Sequence, residues 1–407
     1  MLKNLASVVP PLLFAMKEVT PPYSNASVRT NSGDARGIIQ ATRHLMYKKQ
    51  DRTPIKLRLL KVVHILIAAW GIVLMALHVN ASIRTPLSEC ATKVHPMAGV
   101  LPSCYVVNFN CAELGISGSK VDVSKRWSKF DRATAQTLRL LHCSALEFPT
   151  SFNEFSGLIQ IEIYNSTIVN WDHDNAITKT SHPDMTVLYL IRVNMTDGLL
   201  PPGLQSLDFP PGLSQIYFCE TNLLAFPDDL DAKWPPGLGL YVENSQLAEI
   251  PLSLARLRPL YLIAGGNPIT QIPAELFEAV LTYLTLGSTK LTELPQYVMA
   301  PSTTIYYLDV TNTEVSFFLS WIDALVEDMF GVMPLVAAGG TPYCSALSEA
   351  LNGNSENFGA PFQDGYSPIL MNASQQNWDL LYQAVDCSTN AGVTQFPLEW
   401  WDTIYGL

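Results

Sequence analysis

The stretch that decides the fold is Leu281–Pro295, which reads LTYLTLGSTKLTELP. Two earlier stretches repeat its pattern: Pro259–Pro273 reads PLYLIAGGNPITQIP, and Leu213–Pro227 reads LSQIYFCETNLLAFP. Aligned, the three share the consensus L-x-x-L-x-L-x-x-(T/N/S)-x-L-x-x-L-P. Apolar residues therefore recur at fixed positions within a fixed period, and such a period predicts a repeat architecture.

This consensus is that of a leucine-rich repeat, and eight copies can be placed in register along the chain. Positions four and six of each copy lie on the same side of a short strand, because side chains alternate along a strand. One copy cannot bury that side alone, so neighbouring copies must stack and share a core. We expect an α/β fold, a leucine-rich repeat solenoid with a parallel β-sheet on its concave face. The copies begin at Ala135, Leu158, Met185, Leu213, Gly237, Pro259, Leu281 and Ile305.

The third copy departs from the consensus. The ninth position usually carries Asn or a hydroxyl residue, which bonds to the turn that leaves the strand. The third copy has Val193 there, and Gly198 at the fourteenth position. We expect Leu199–Pro211, the segment after this copy, to be an irregular or degenerate coil.

Charge divides the chain at an apolar run. Residues 1–61 carry a net charge of +8, whereas the whole chain carries −11, so the remainder carries −19. The boundary is Val62–Val79, 18 residues with no Asp, Glu, Lys or Arg. A helix of this length spans about 27 Å, enough for the hydrocarbon core of a bilayer. The basic flank predicts a cytoplasmic N-terminus. The alternatives are a buried core helix and a signal peptide cleaved near Ala81.

These features predict five segments. Residues 1–61 form a basic, mostly disordered cytoplasmic tail, and residues 62–79 form a transmembrane signal-anchor. Residues 82–134 form an N-terminal cap, residues 135–319 hold the repeats, and residues 320–407 form a C-terminal cap and tail. The membrane topology places the caps and repeats outside the cell.

Cysteines mark both caps, where a solenoid must cover its exposed ends. In an oxidising compartment we expect the disulfides Cys90–Cys104 and Cys344–Cys387. Cys111 aligns one coil below Cys143, and the sequence leaves open whether these two residues pair. Three sequons beyond the apolar run are candidate glycosylation sites, at Asn165, Asn194 and Asn372.

The concave sheet is the expected ligand-binding surface. Tyrosine recurs there at position five of three successive copies and at position three of the next three, with acidic residues interspersed. Tyr offers a large contact area and a polar group, which suits a binding surface. The alternative is that Tyr simply favours strands and stacks on itself. The candidate ligand-binding residues are Tyr189, Tyr217, Tyr241, Tyr261, Tyr283, Tyr307, Glu220 and Glu243.

No catalytic or cofactor-binding motif stands out in the sequence. Asp172, His173 and Asp174 resemble a metal site, but they lie in a long insert and are better interpreted as a solvated polar loop. We therefore expect no enzyme activity, no cofactor and no metal. The acidic balance beyond residue 61 argues against nucleic acid as a partner.

Four motifs carry a resemblance to a known family. They are AAWGIVLMALHVNAS at 68–82, SCYVVNFNCAELGI at 103–116, WIDALVEDM at 321–329 and GTPYC at 340–344. In this order, with Thr-rich repeats between them, they resemble the leucine-rich repeat membrane proteins of oomycete pathogens. The resemblance covers residues 57–386 and implies an extracellular repeat domain on a membrane anchor.

The resulting expectation is a single-pass plasma-membrane recognition protein, receptor-like and non-enzymatic. It would bind a protein or peptide on its concave face and pass a signal inward through a co-receptor. The alternative is a secreted inhibitor or decoy, released by cleavage near Ala81.

Overall fold

The structure is a computed structural model, and it describes residues 54–83, 87–94, 96, 99, 101–329, 331–353, 358, 363–388 and 395–406. Most of the predicted cytoplasmic tail, residues 1–53, lies outside the described residues. The chain divides into two compact units, with the boundary between Gly71 and Ile72.

The first helix, α1, runs from Pro54 to Ser82 and contains the whole apolar run. Within it, the segment Arg58–Asn80 contains an 18-residue window with a mean hydropathy of 2.3, and none of that window is buried. By length and composition this helix could cross a membrane.

The strands of the described part form one sheet of thirteen. Their bounds are β1 Cys90–Val94, β2 Ser103–Asn110, β3 Thr137–Leu141, β4 Leu146–Glu147, β5 Gln160–Asn170, β6 Val187–Met195, β7 Gln215–Cys219, β8 Gly239–Glu243, β9 Tyr261–Ile263, β10 Tyr283–Thr285, β11 Tyr307–Asp309, β12 Val336–Ala337 and β13 Val385–Asp386.

Short helices lie between and beyond the strands, together with several 3-10 turns. After α1 they are α2 Cys111–Leu114, α3 Lys120–Trp127, α4 Leu252–Leu257, α5 Glu275–Glu278, α6 Asp323–Met329, α7 Pro342–Leu351, α8 Trp378–Ala384 and α9 Leu398–Tyr405.

The sheet is parallel from β2 to β13, and only β1 pairs antiparallel, with β2. Its order follows the chain, except that β4 lies off the path and pairs with β5. Equivalent repeat positions face each other, so that Leu284 pairs with Leu262 on one side and Leu308 on the other. This in-register stacking of coils is the predicted leucine-rich repeat solenoid.

The core runs through the inside of the coils. The fourth-position residue of every predicted copy is fully buried, from Leu138 in the first to Leu308 in the last. Phe218 and Trp234 stack at 6.5 Å in the same core. The single apolar cluster that these residues form extends from Cys104 to Val385, so it spans both caps as well as the repeats.

The ninth position supports the turns as expected. Asn267 donates from Nδ2 to the carbonyl oxygens of Val242 and Ala264 at 2.6 and 3.0 Å, and Thr289 donates to Leu286 O at 2.7 Å. Val193, at the ninth position of the third copy, has no such group. It pairs with Ser166 in a longer parallel ladder, in which both β5 and β6 continue past the usual strand end.

The eighth position has a feature that the consensus does not reveal. In every predicted copy it adopts a positive φ, which turns the chain sharply as it leaves the strand. Seven of the eight residues are not glycine: His142, Asn165, Arg192, Glu220, Asn244, Ser288 and Asn312. The remaining one is Gly266, with φ +72.

All seven cysteines lie in the described part of the chain. Disulfides join Cys90 to Cys104, Cys344 to Cys387, and Cys111 to Cys143. The last pair is the one that the sequence left open. It forms because β2 stacks on β3 in register, which brings the two Cα atoms to 4.9 Å. Cys219 remains a free, buried thiol.

Candidate ligand-binding face

The concave face carries the predicted tyrosines in two columns. The first tyrosine column consists of Tyr189, Tyr217 and Tyr241, on β6, β7 and β8. Its rings stack with centroids 4.6 and 4.2 Å apart and interplanar angles of 14° and 16°. In-register pairing of identical positions produces this stack, since directly opposed side chains lie about 5 Å apart.

The second tyrosine column consists of Tyr261, Tyr283 and Tyr307, on β9, β10 and β11. Its centroids are 5.4 and 6.1 Å apart, so its stacking is looser. Tyr261 is 37% exposed. This column therefore presents aromatic surface to solvent.

Another part of the same chain covers the first tyrosine column. Residues 395–406, here called the C-terminal tail, lie against the concave side of β3 to β8 and include helix α9. Phe396 lies 5.6 Å from Tyr217, and Trp401 lies 5.0 Å from Tyr189, measured between ring centroids. The predicted C-terminal cap and tail thus reaches the expected binding surface.

The tail side chains fill a small apolar cluster separate from the main core. Phe396 and Trp401 are buried there against a row of residues at repeat position seven. That row points to the concave side, where solvent is usual, yet its residues are apolar or aromatic. They are Leu141, Tyr164, Ile191 and Cys219.

An ion pair fastens the middle of the tail. Arg192 donates from Nε and Nη2 to the two carboxylate oxygens of Asp402, at 2.9 and 2.8 Å. Tyr164 donates its hydroxyl to the same carboxylate at 2.5 Å. The hydrogen bond from Arg192 holds the pKa of Asp402 below its usual value. Arg192 also pairs with Glu220, one of the predicted ligand-binding residues.

The far end of the tail is held by Tyr405. Its hydroxyl donates to Glu162, a buried carboxylate that also accepts from Arg139 Nε at 3.1 Å. The guanidinium of Arg139 lies 5.6 Å from the Tyr405 ring centroid, within cation–π range. His142 Nε2 lies 2.8 Å from the Tyr405 carbonyl oxygen.

The near end of the tail is held through its backbone. Glu243, a predicted ligand-binding residue, accepts hydrogen bonds from the amides of Gln395 and Phe396, at 2.5 and 2.8 Å. Glu243 is only 3% exposed, and burial raises the pKa of its carboxyl although these two hydrogen bonds oppose the shift. The site therefore fixes a peptide backbone as well as its side chains.

A cleft of about 540 Å³ remains between the tail and the face. Its lining combines the first tyrosine column with Arg139, Gln160 and Glu162 on one side and tail residues on the other. A larger cleft of about 670 Å³ lies elsewhere, around Trp171 and Phe226, but the ionisable groups in its lining are Glu147 and Asp172 alone. Converging charged and aromatic groups mark a binding site better than volume does, so the concave face is the stronger candidate.

The structure also gives the exposure of the predicted glycosylation sites and of a histidine near the polar insert. Asn165, Asn194 and Asn372, the three sequon asparagines, are all exposed. His182, near the polar insert, is fully buried, with Nε2 at 3.1 Å from the Phe152 carbonyl oxygen.

Sequence reasoning missed Arg192 and the tail residues that meet it. One signal was available, because apolar residues at position seven occur in the first four copies, whereas the last three have Gly265, Gly287 and Thr311 there. That change indicates that only the early copies are covered. The period of the repeat contains no information on which segment covers them.

No protein-family profile matches the chain, and no curated protein matches it. Among solved structures it is similar to a leucine-rich repeat protein of Leptospira interrogans, with 18% identity, a TM-score of 0.42, and coverage of 51% of this chain and 50% of that one. A plant ice-binding protein is 19% identical, with a TM-score of 0.36 and coverage of 47% and 61%.

A third similar structure is the leucine-rich repeat ectodomain of an Arabidopsis thaliana membrane receptor kinase, in complex with Casparian strip integrity factor 2. It is 14% identical, with a TM-score of 0.39 and coverage of 62% of this chain and 27% of that one. The chain spans about half the length of the Leptospira protein. The coils of this chain themselves define its fold as a leucine-rich repeat solenoid.

Proposed function

We propose that this chain is a membrane-anchored, extracellular recognition protein that binds a protein or peptide ligand on its concave face and performs no catalysis. The observation that carries the proposal is the pair of stacked tyrosine columns on that face, with charged groups beside them. Tyr and Arg are enriched where protein interfaces are energetically strongest. The second tyrosine column is open to solvent, and the first borders the cleft of about 540 Å³.

Anchoring is supported by the surface of α1. Its long apolar side chains, such as Ile65, Leu66 and Trp70, are between 63% and 66% exposed. An apolar surface of this extent needs a covering phase, and a bilayer supplies one. Arg58 and Lys61 at the N-terminal side favour a cytoplasmic N-terminus. The proposed location is the plasma membrane, with the three sequons outside.

The proposed partner in signalling is a second protein, a co-receptor that contacts the anchor or the repeat domain.

The alternative is a secreted inhibitor or decoy, and it has the same binding face. The two differ in whether Val62–Val79 stays in the mature protein. Peptide mapping of the mature protein decides between them: recovery of this segment supports anchoring, and a mature N-terminus at Ser82 supports secretion.

The binding face is tested by partner capture with the full chain in lipid nanodiscs. The variants are Tyr261→Ser, Tyr283→Ser and Tyr307→Ser together, and the corresponding triple change in the first column. The matched control changes Tyr297 and Tyr382 to Ser, because both are well exposed, at 72% and 63%, and lie outside the two columns. At least one column variant should lose the partners that the control retains. Equal capture by all the variants would reject the concave face as the binding surface.

A further inference from the structure

The C-terminal tail occupies the candidate face as a ligand would. None of its residues belongs to the main apolar core of the described chain, and its buried side chains form the separate cluster with the concave face. No strand of the sheet comes from the tail. Release of the tail would therefore uncover the face without opening the core.

The tail also has the size of a peptide ligand. Helix α9 has eight residues, from Leu398 to Tyr405. Isolated helices of this length are not stable in water, because nucleation outweighs the few hydrogen bonds gained. The helix therefore depends on the face for its structure, as a peptide does that folds into a groove.

The contacts of the tail indicate which chemical groups the concave face binds. Three aromatic side chains anchor it, with Phe396 and Trp401 against the first tyrosine column and Tyr405 against Glu162. A carboxylate, that of Asp402, meets the fork of the Arg192 guanidinium. Arg holds a carboxylate in this two-point geometry with directional selectivity. The face therefore contacts three features of the tail: the spaced aromatic side chains, one carboxylate, and the backbone amides at its N-terminal end.

Helix α9 offers a control within the tail. Ile404 is 49% exposed and belongs neither to the apolar cluster of the tail nor to the lining of the cleft, whereas Trp400, although 59% exposed, lines the cleft. Ile404 is therefore the control for Trp401 on the same helix.

We propose that the concave face binds a short helical peptide that carries aromatic residues and one acidic residue in the spacing of Phe396, Trp401, Asp402 and Tyr405, and that the C-terminal tail holds this place as an intramolecular competitor. This inference deepens the proposed function and rests on it. The tail sets the threshold for the external peptide, since a competitor held on the same chain must be displaced before the peptide binds.

The test uses the full chain in nanodiscs and a fluorescent synthetic peptide with the sequence of residues 395–407, QFPLEWWDTIYGL. Trp401→Ser in the chain weakens the resident tail and should raise the affinity for the added peptide at least about tenfold over the wild type. Ile404→Ser, the control, should leave the affinity at the wild-type value.

A second set of variants maps the bound peptide onto the face. In the Trp401→Ser chain, Arg192→Gln should lower the affinity for the peptide at least about tenfold, because the carboxylate loses its partner. A peptide with Asp402→Asn should bind the Trp401→Ser chain about as weakly as the unmodified peptide binds the chain that also carries Arg192→Gln. The affinity for this changed peptide should not depend on Arg192→Gln. Tyr307→Phe, in the uncovered column, should change neither value.

Three outcomes would overturn the inference. Equal, weak peptide binding by the wild type and by the Trp401→Ser and Ile404→Ser variants would mean that the tail is a permanent part of the fold. Peptide affinity that is unchanged by Arg192→Gln would mean that the peptide binds elsewhere on the chain. Dimers formed through the tail would mean that the tail on the face comes from a second copy. Partner capture lost in the column variants would still support the proposed function in each case, so the two failures are distinguishable.

Discussion

At the scale of single residues, Gly203 shows how closely the coils approach each other. A Cβ at this position would lie 2.0 Å from Cδ1 of Trp171, whose ring stacks on Phe148 at 3.9 Å. We predict that Gly203→Ala lowers the free energy of unfolding by about 2 kcal/mol, because the buried ring has to move. Denaturant unfolding measures the change.

Gly212→Ala is the matched control for this prediction. The nearest neighbour of an added Cβ there is Met185 O at 3.6 Å, an ordinary contact. It should change the free energy of unfolding by less than about 1 kcal/mol. Equal effects of the two substitutions would contradict the packing argument.

His182 gives the fold a specific pH dependence. Burial lowers its pKa to about 4, whereas an unfolded His titrates near 6.5. Between these values the unfolded state binds more protons, so stability falls as the pH decreases from about 6.5 towards 4. The slope from this residue approaches 1.4 kcal/mol per pH unit at most.

The pH prediction is checked by denaturant unfolding of the wild type and of His182→Gln at several pH values. Other titrating groups are present in both proteins, so their contributions cancel in the difference. The stability difference between the two proteins should change with pH across this window. A constant difference would show that His182 does not titrate as its burial requires.

At the scale of elements, the C-terminal tail packs on the strands of the concave face and covers Cys219. This thiol is 1% exposed, belongs to the cluster with Phe396 and Trp401, and has a pKa raised to about 12 by burial. The thiolate is the nucleophile that attacks thiol reagents, and a raised pKa makes it scarce. In the folded wild type we therefore predict very slow labelling.

Removal of the tail anchor should expose this thiol. We predict that Trp401→Ser increases the labelling rate of Cys219 at least about tenfold, because its cover opens and the thiolate becomes more accessible. Mass spectrometry under native conditions measures the rate, and Ile404→Ser is the control. Equal rates in the two variants would mean that the tail does not gate access to Cys219.

At the scale of the whole molecule, charge and glycosylation report on orientation. Residues 1–61 are basic and the remainder is acidic, and the three sequon asparagines are exposed in the structure. We predict that an endoglycosidase lowers the mass of the mature protein. The reason is that a repeat domain outside the cell passes through the compartment where sequons are modified.

Changing Asn165, Asn194 and Asn372 to Gln together should remove that mass shift. Protease treatment of intact cells supplies an independent measurement, since an extracellular repeat domain would be digested. A protected, unglycosylated repeat domain would contradict the proposed topology.

The sequence by itself determined the coils of this protein. Positions four, six, eleven and fourteen recur within one short period, so the information that places Leu284 in the core is local to its own copy. Stacking then follows, because identical copies bury the same side. The register of β2 on β3 was also foreshadowed by the alignment of Cys111 with Cys143, although their pairing was decided only when the two coils stacked.

Only the tertiary structure decided what covers the concave face. Arg192 and Asp402 are 210 residues apart, and His142 and Tyr405 are 263 residues apart, so no period links them. The apolar residues at position seven indicated a cover but could not name it. A repeat pattern specifies contacts between neighbouring coils, whereas the docking of a terminal segment depends on the complementarity of two distant surfaces.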